Sequence, residues 1–184
     1  MIQEIEDILR EAERDMKKSV EHFRGEIAGI RTGRASTALV EELKVDYYGS
    51  RVPLKQLGTI SVPEPTQIMI QLWDANAVPG VEKVIREELN LNPNTQGNTV
   101  RINLPPLTEE RRRELVRMVH KLAEEARIAV RNIRRDAKEM IEDLEGVSED
   151  EKKRALERLQ KITDRYVEEV NKLLAAKEEE IMTV

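Results

Sequence analysis

Ala126-Arg127-Ile128-Ala129-Val130-Arg131-Asn132-Ile133-Arg134-Arg135-Asp136, in the middle of a stretch from Thr108 to about Glu145, decides how the rest of the chain is read. At roughly 100° per residue, Leu115, Met118, Val119, Leu122, Ala126, Ala129, Ile133, Ala137, Met140 and Leu144 line up as one broad apolar stripe. Arg113, Arg117, His120, Arg127, Arg131, Arg134, Arg135 and Lys138 gather on the other side, interrupted only by Glu124. The spacing predicts one long helix with a face to bury and a cationic face left over. The apolar face needs partners within the chain; the guanidinium row points to a partner outside it.

Two further stretches supply the inner partners. Ile2, Ile5, Ile8, Leu9, Ala12, Met16, Val20, Phe23, Ile27 and Ile30 recur at helical spacing with no proline between them, and a single amphipathic helix cannot bury such a stripe alone. Toward the other end, Leu156, Leu159, Ile162, Tyr166, Val170, Leu173 and Leu174 form a third stripe. Gly146 ends the middle helix, and Ser148-Glu149-Asp150-Glu151 has the spacing of a capping box that starts the next. So short a turn forces antiparallel packing of the second and third helices, and three helices of similar length predict a three-helix bundle. Pro105-Pro106 stiffens the approach to the middle helix, Thr108 is its expected N-cap, and Glu109 and Glu110 complement the positive end of its dipole.

Between the first two helices the period changes. Arg31-Thr32-Gly33-Arg34-Ala35-Ser36 breaks the helical pattern. Leu43, Val45 and Tyr47 then alternate with polar residues, Tyr48-Gly49-Ser50-Arg51 is a turn, and Thr59–Val62, Ile68–Trp73 and Thr99–Leu104 read as strands. Ala77–Leu89 is a short helix, and Asn92-Pro93-Asn94 and Gly97-Asn98 are turns. The expected organisation is α+β: a discontinuous bundle of residues 1–30 and 105–184, and a small β/α/β domain of residues 31–104 inserted through a paired hinge. That hinge comprises Arg31, Thr32, Gly33, Arg34, Pro105 and Pro106, and relative motion is the default at so small a junction.

Composition narrows the function. The 184 residues hold no cysteine, so disulfides and thiolate metal sites are excluded. One Trp, three Tyr and one Phe are too few for a platform that stacks single-stranded bases. No apolar run approaches the roughly 20 residues of a membrane span, and the charged N-terminus lacks a signal-peptide core, so a cytoplasmic protein with no membrane partner is expected. The net charge of −5 is uneven: residues 1–103 sum to −3, residues 104–138 to +4 and residues 139–184 to −6. A protein that is acidic overall but has one basic helix fits a polyanion met along a single face.

No phosphate loop, dinucleotide fingerprint, zinc-protease motif or calcium loop is present. His22 and His120 have no second ligand beside them, so neither a metal, a cofactor nor a small-molecule substrate is expected. His22 reads as a helix-surface residue, and Trp73 and Tyr47-Tyr48 as core or edge residues of the small domain. The carboxylates fall mainly where they pair with Lys or Arg at i,i+4, and no pair stands out as catalytic, so the chain reads as a non-enzyme. The arginine face has two readings: a solvated face bridging to neighbouring glutamates, or a track for phosphates. The density of Arg within Arg127–Arg135 favours phosphate, because guanidinium suits bidentate phosphate contacts better than ammonium does. A helical protein-interaction adaptor that never touches RNA is the alternative.

Several segments resemble one family along essentially the whole chain: Ile30-Arg31-Thr32-Gly33-Arg34-Ala35, Val45-Asp46-Tyr47-Tyr48-Gly49, Pro105-Pro106-Leu107-Thr108-Glu109-Glu110-Arg111-Arg112, Val130-Arg131-Asn132-Ile133-Arg134-Arg135 and Gln160-Lys161-Ile162-Thr163-Asp164. The chain is similar to bacterial ribosome recycling factors. It departs from them at Glu88-Leu89-Asn90-Leu91, where the family usually has Asp-Leu-Gly-Leu. The resemblance implies an elongated, L-shaped monomer that binds the post-termination ribosome, its bundle against large-subunit ribosomal RNA. With elongation factor G and that factor's GTP hydrolysis, such a protein splits the subunits. The family's principal RNA-contacting arginines match Arg131 and Arg134; extending the contact to Arg127, Arg135, Arg113 and Arg117 follows from the cationic stripe. Arg31 and Arg34 match the family's hinge-proximal motif.

Overall fold

The computed structural model describes residues 2–183; Met1, the Ile2 side chain and Val184, and with them the first position of the N-terminal stripe, lie outside the described residues. The fold is α+β, with helices α1 (Ile2–Ala28), α2 (Val78–Leu89), α3 (Glu109–Glu142) and α4 (Glu149–Met182). Six strands accompany them: β1 (Lys44–Tyr47), β2 (Ser50–Pro53), β3 (Gly58–Glu64), β4 (Gln67–Leu72), β5 (Pro93–Gln96) and β6 (Thr99–Asn103). The chain forms two compact units, Met1–Arg31 with Glu109–Thr183, and Thr32–Thr108.

In the first unit α1, α3 and α4 pack on one another. α1 buries Ile5, Leu9, Ala12, Met16, Val20, Phe23 and Ile27, every third or fourth residue, so its apolar seam keeps facing the two partner helices. The α3–α4 turn relies on Gly146, whose φ of +73° is left-handed. Ser148 then caps α4: its Oγ accepts a hydrogen bond from the Glu151 N–H at 3.1 Å. The direction of α1 is readable from its ion pairs. Glu6 meets Arg158 and Glu13 meets Arg165, so both chains advance by the same number of residues between pairs. α1 therefore runs parallel to α4, and α3 runs back between them. The one buried side chain of α4 that is polar, Thr163, donates its hydroxyl to the Leu159 carbonyl at 2.8 Å.

The second unit contains a β1–β2 hairpin and a four-stranded sheet in the order β3-β4-β6-β5, all neighbours antiparallel. Tyr48 and Gly49 turn the hairpin with φ of 48° and 79°, the positive pair that a two-residue turn of this twist demands. Period-two alternation buries Ile68, Ile70 and Leu72 of β4 and Val100 and Ile102 of β6, and Val81, Val84 and Ile85 of α2 join the same core. α2 ends on Asn90, whose φ of 55° is the left-handed cap. The family's usual glycine there and this asparagine therefore satisfy one backbone requirement. Gly33 has φ +84°, and a Cβ on it would lie 3.0 Å from Leu107 Cγ, so the predicted hinge segments on the two sides of this unit touch one another.

Two expectations are corrected and a third is narrowed. Asn92-Pro93-Asn94 is not simply a turn: Pro93–Gln96 is an edge strand paired with β6, a place where a missing N–H costs nothing because it faces no neighbour. The core-or-edge reading of Trp73 and Tyr48 narrows, since both lie outside the core at 68% and 73% exposed. The apolar stripe of α3 is shifted round the helix. Leu115, Val119, Ala123, Ala126, Val130, Ala137 and Ile141 are buried, whereas Met118 and Met140 are 44% and 52% exposed. A helix held between two neighbours buries the arc that bisects them, and hydrophobicity alone does not locate that arc.

Candidate nucleic-acid interface

The shift of the buried arc re-sorts the arginines of α3. Arg113, Arg117, Arg131 and Arg135 are exposed, while Arg127 and Arg134 sit half-buried on its shoulder. All lie along one flank because their spacing repeats near the helical period.

They differ in what already holds them. Arg113 donates to Glu109 one turn earlier at 2.6 Å. Arg127 is engaged at every guanidinium nitrogen. Its Nε and Nη2 donate to Glu124 Oε2 at 3.1 and 2.8 Å, and its Nη1 to Asn171 Oδ1 of α4 at 2.9 Å. With its side chain 17% exposed, Arg127 is a strut between α3 and α4. Arg131 Nη1 lies 3.9 Å from Glu124 Oε1, an open contact that water and salt screen readily. Among the described residues Arg117, Arg134 and Arg135 have no acidic partner within 4.0 Å. His120 faces Glu178 of α4 at 3.1 Å, and Lys138 faces Glu142 at 3.8 Å. His22 is exposed beside Glu26, 3.4 Å away.

The flank thus divides into an anchored part and an open part. Arg131, Arg134 and Arg135 form an open cluster, with Arg117 four turns earlier; Arg117, Arg131 and Arg135 are exposed and Arg134 is half-buried. Sequence reasoning noticed Glu124 only as an interruption, although its i,i+3 spacing to Arg127 was a signal. Asn171 gave no signal, because only the packing of α4 on α3 brings it near.

Of the predicted hinge, Thr32 is buried, Arg31, Arg34, Pro105 and Pro106 are exposed, and Ala35 N–H donates to the Pro65 carbonyl at 2.7 Å. Leu104 N–H donates to the Thr66 carbonyl at 2.8 Å. The β3–β4 turn thereby ties both ends of the second unit through these two backbone hydrogen bonds. Among the described residues no group of three or more His, Cys, Asp or Glu could hold a metal ion, and no helix is long and apolar enough to cross a membrane.

Comparison with known proteins gives the class first: these are factors of the translation machinery. Residues 23–182 match the family model described as ribosome recycling factor. The ribosome-recycling factor of Aquifex aeolicus (strain VF5) is 73% identical over 184 residues, all of both chains. That of Hydrogenobaculum sp. (strain Y04AAS1) is 67% identical over 177 residues, 96% of this chain and 97% of its own. A solution structure of a ribosome recycling factor matches with a TM-score of 0.72 at 73% identity over all of both chains. Models of the T. thermophilus ribosome recycling factor and the E. coli elongation factor G bound to the E. coli post-termination complex match with a TM-score of 0.59 at 46% identity, over 97% of this chain and 98% of that one. The chain belongs to the ribosome recycling factor family.

Proposed function

We propose that this chain recycles ribosomes. It binds the post-termination ribosome and, with elongation factor G and that factor's GTP hydrolysis, splits the subunits and frees them from messenger RNA in the cytoplasm. Family membership at 73% identity over the whole length carries this reading, and the open arginine cluster supplies a physical means. Arg131 and Arg134, with Arg135 and Arg117 beside them, bind phosphates of large-subunit ribosomal RNA. Such contacts set register and orientation without reading sequence. Arg127 contributes to the field, but its hydrogen bonds are spent within the protein, whereas Arg113 is tied only through Nη2 to the exposed Glu109. The unit Thr32–Thr108 acts as an inserted domain on a hinge at Arg31–Arg34 and Pro105-Pro106, and receives force from the GTPase. The protein works as a monomeric wedge, with no bond chemistry, cofactor or small-molecule substrate of its own.

The test is subunit splitting followed by light scattering with purified ribosomes. Scattering should fall only when this protein, elongation factor G and GTP are all present. Splitting that proceeds equally without elongation factor G, or never occurs, overturns the reading. Co-sedimentation with purified large subunits separates it from the adaptor alternative, which would leave the subunits unbound.

A further inference from the structure

On the flank of α3 away from the arginines, α1 and α3 leave a groove of about 160 Å³ lined by Ile8, Glu11, Ala12, Asp15, Ile133, Asp136, Ala137 and Met140. Its floor is apolar and its rim is entirely acidic. Met140, a large apolar side chain, is 52% exposed there.

The other helix seams carry ion pairs: Glu6 with Arg158, Glu13 with Arg165 and Arg24 with Glu169 tie α1 to α4, and His120 with Glu178 ties α3 to α4. Among the described residues no ion pair ties α1 to α3. Asp15 and Asp136 have no ion-pair partner, and Glu11 reaches only Arg14 of its own helix at 3.9 Å. Like charges facing across a helix seam repel, and a sequence so rich in Lys and Arg could have paired them.

We propose that this groove is a docking surface for a basic, partly apolar segment of a partner protein, with Met140, Ile8 and Ile133 receiving an apolar side chain and Asp15, Asp136 and Glu11 receiving Lys or Arg at the rim. An apolar centre inside a rim of complementary charge is the usual anatomy of a protein–protein contact. RNA is disfavoured, because three carboxylates oppose its phosphates. α3 is thereby two-sided, with an RNA flank and a protein flank. The proposal rests on the ribosomal reading above, since it takes the partner from the assembly that the arginine flank engages.

The absence of cysteine makes a direct test available. Met140→Cys, carrying a short photoactivatable crosslinker, is bound to purified large subunits and irradiated; Ile128→Cys, exposed beside the arginine flank, reports on the other side. The expected products are a protein adduct from position 140, mapping to a segment rich in Lys or Arg, and an RNA adduct from position 128. RNA alone, or no adduct, from position 140 overturns the groove, whereas loss of the RNA adduct at position 128 counts against the arginine reading instead. Asp15→Asn with Asp136→Asn, added to the Met140 reporter, should cut the protein adduct several-fold while thermal stability is kept or raised. An unchanged yield in that variant also overturns the proposal.

Discussion

Glu124 Oε2 accepts hydrogen bonds from both Nε and Nη2 of Arg127, at 3.1 and 2.8 Å, while Asn171 takes the remaining Nη1. A guanidinium so occupied has little left for a phosphate. Arg127→Ala is therefore expected to lower stability by about 1–2 kcal/mol through the lost α3–α4 tie, measured by urea unfolding. The salt dependence of large-subunit binding should hardly change. A shallower salt slope with unchanged stability would return Arg127 to the RNA contacts.

Arg134 and Arg135 behave in the opposite way. Neither has an acidic partner, and Arg135 is exposed. Arg135→Ala should stay within about 0.5 kcal/mol of the parent in stability, and Arg134→Ala should lose slightly more through its half-buried stem. Each should weaken large-subunit binding and flatten the logarithmic salt dependence by roughly one unit, by analogy with duplex DNA. Wild-type binding across a salt titration would refute the anchor.

Acid should act on the α1–α4 seam. Hydrogen bonds from Arg158, at 2.5 and 3.0 Å, hold the Glu6 carboxyl below its ordinary 4.5. A lowered folded-state value stabilises the fold above the unfolded value, and that contribution is lost as pH falls through the folded one. The melting temperature of Glu6→Gln should accordingly lie below that of the parent at neutral pH. The gap should close as pH drops below the Glu6 value. A gap that persists in strong acid would mean the side chains' packing, rather than their charge, ties the helices.

In the second unit Tyr47 links stability to alkaline pH. Its hydroxyl donates to Asp74 Oδ2 at 2.6 Å, and ionising it would place two anions together, so its pKa is pushed up to about 12 from 10.0. A raised value contributes stability below the unfolded pKa that disappears as pH rises through the folded one. Near-ultraviolet titration should show a late step from Tyr47, with Tyr166, raised chiefly by its burial, also ionising above the ordinary value. Tyr47→Phe should remove that late step and lower stability at pH below the ordinary value of 10.0, with the gap to the parent closing as pH rises toward about 12.

Much of this was legible in the chain. Helical spacing located α1, α3 and α4 to within a few residues, because an apolar side chain every third or fourth position has no other way to be buried together. Ser148 and Glu151 announced the start of α4, and Gly146 the turn before it, since capping and left-handed backbone are local needs met by local residues. Asn90 could replace the usual glycine for the same reason. Pro93 was misread: a proline signals a turn unless the strand it opens lies at an edge, and edge position is a property of the assembled sheet.

The candidate interface divides along the same line. Which residues carry positive charge, and that they share a flank of one helix, followed from composition and the 3.6-residue period alone. Which of them remain available did not. Arg127 is committed because α4 brings Asn171 to it, and Arg131, Arg134 and Arg135 stay open because nothing acidic on α4 reaches them. The buried arc of α3 likewise depends on two neighbours pressing from particular directions, which exposes Met140 at the acidic groove and turns Val130 inward. The sequence by itself determined the elements and their charge, since those depend on contacts within a few residues. Only the tertiary structure decided which charges are spent and which are free, since that depends on residues more than forty positions apart meeting across helices.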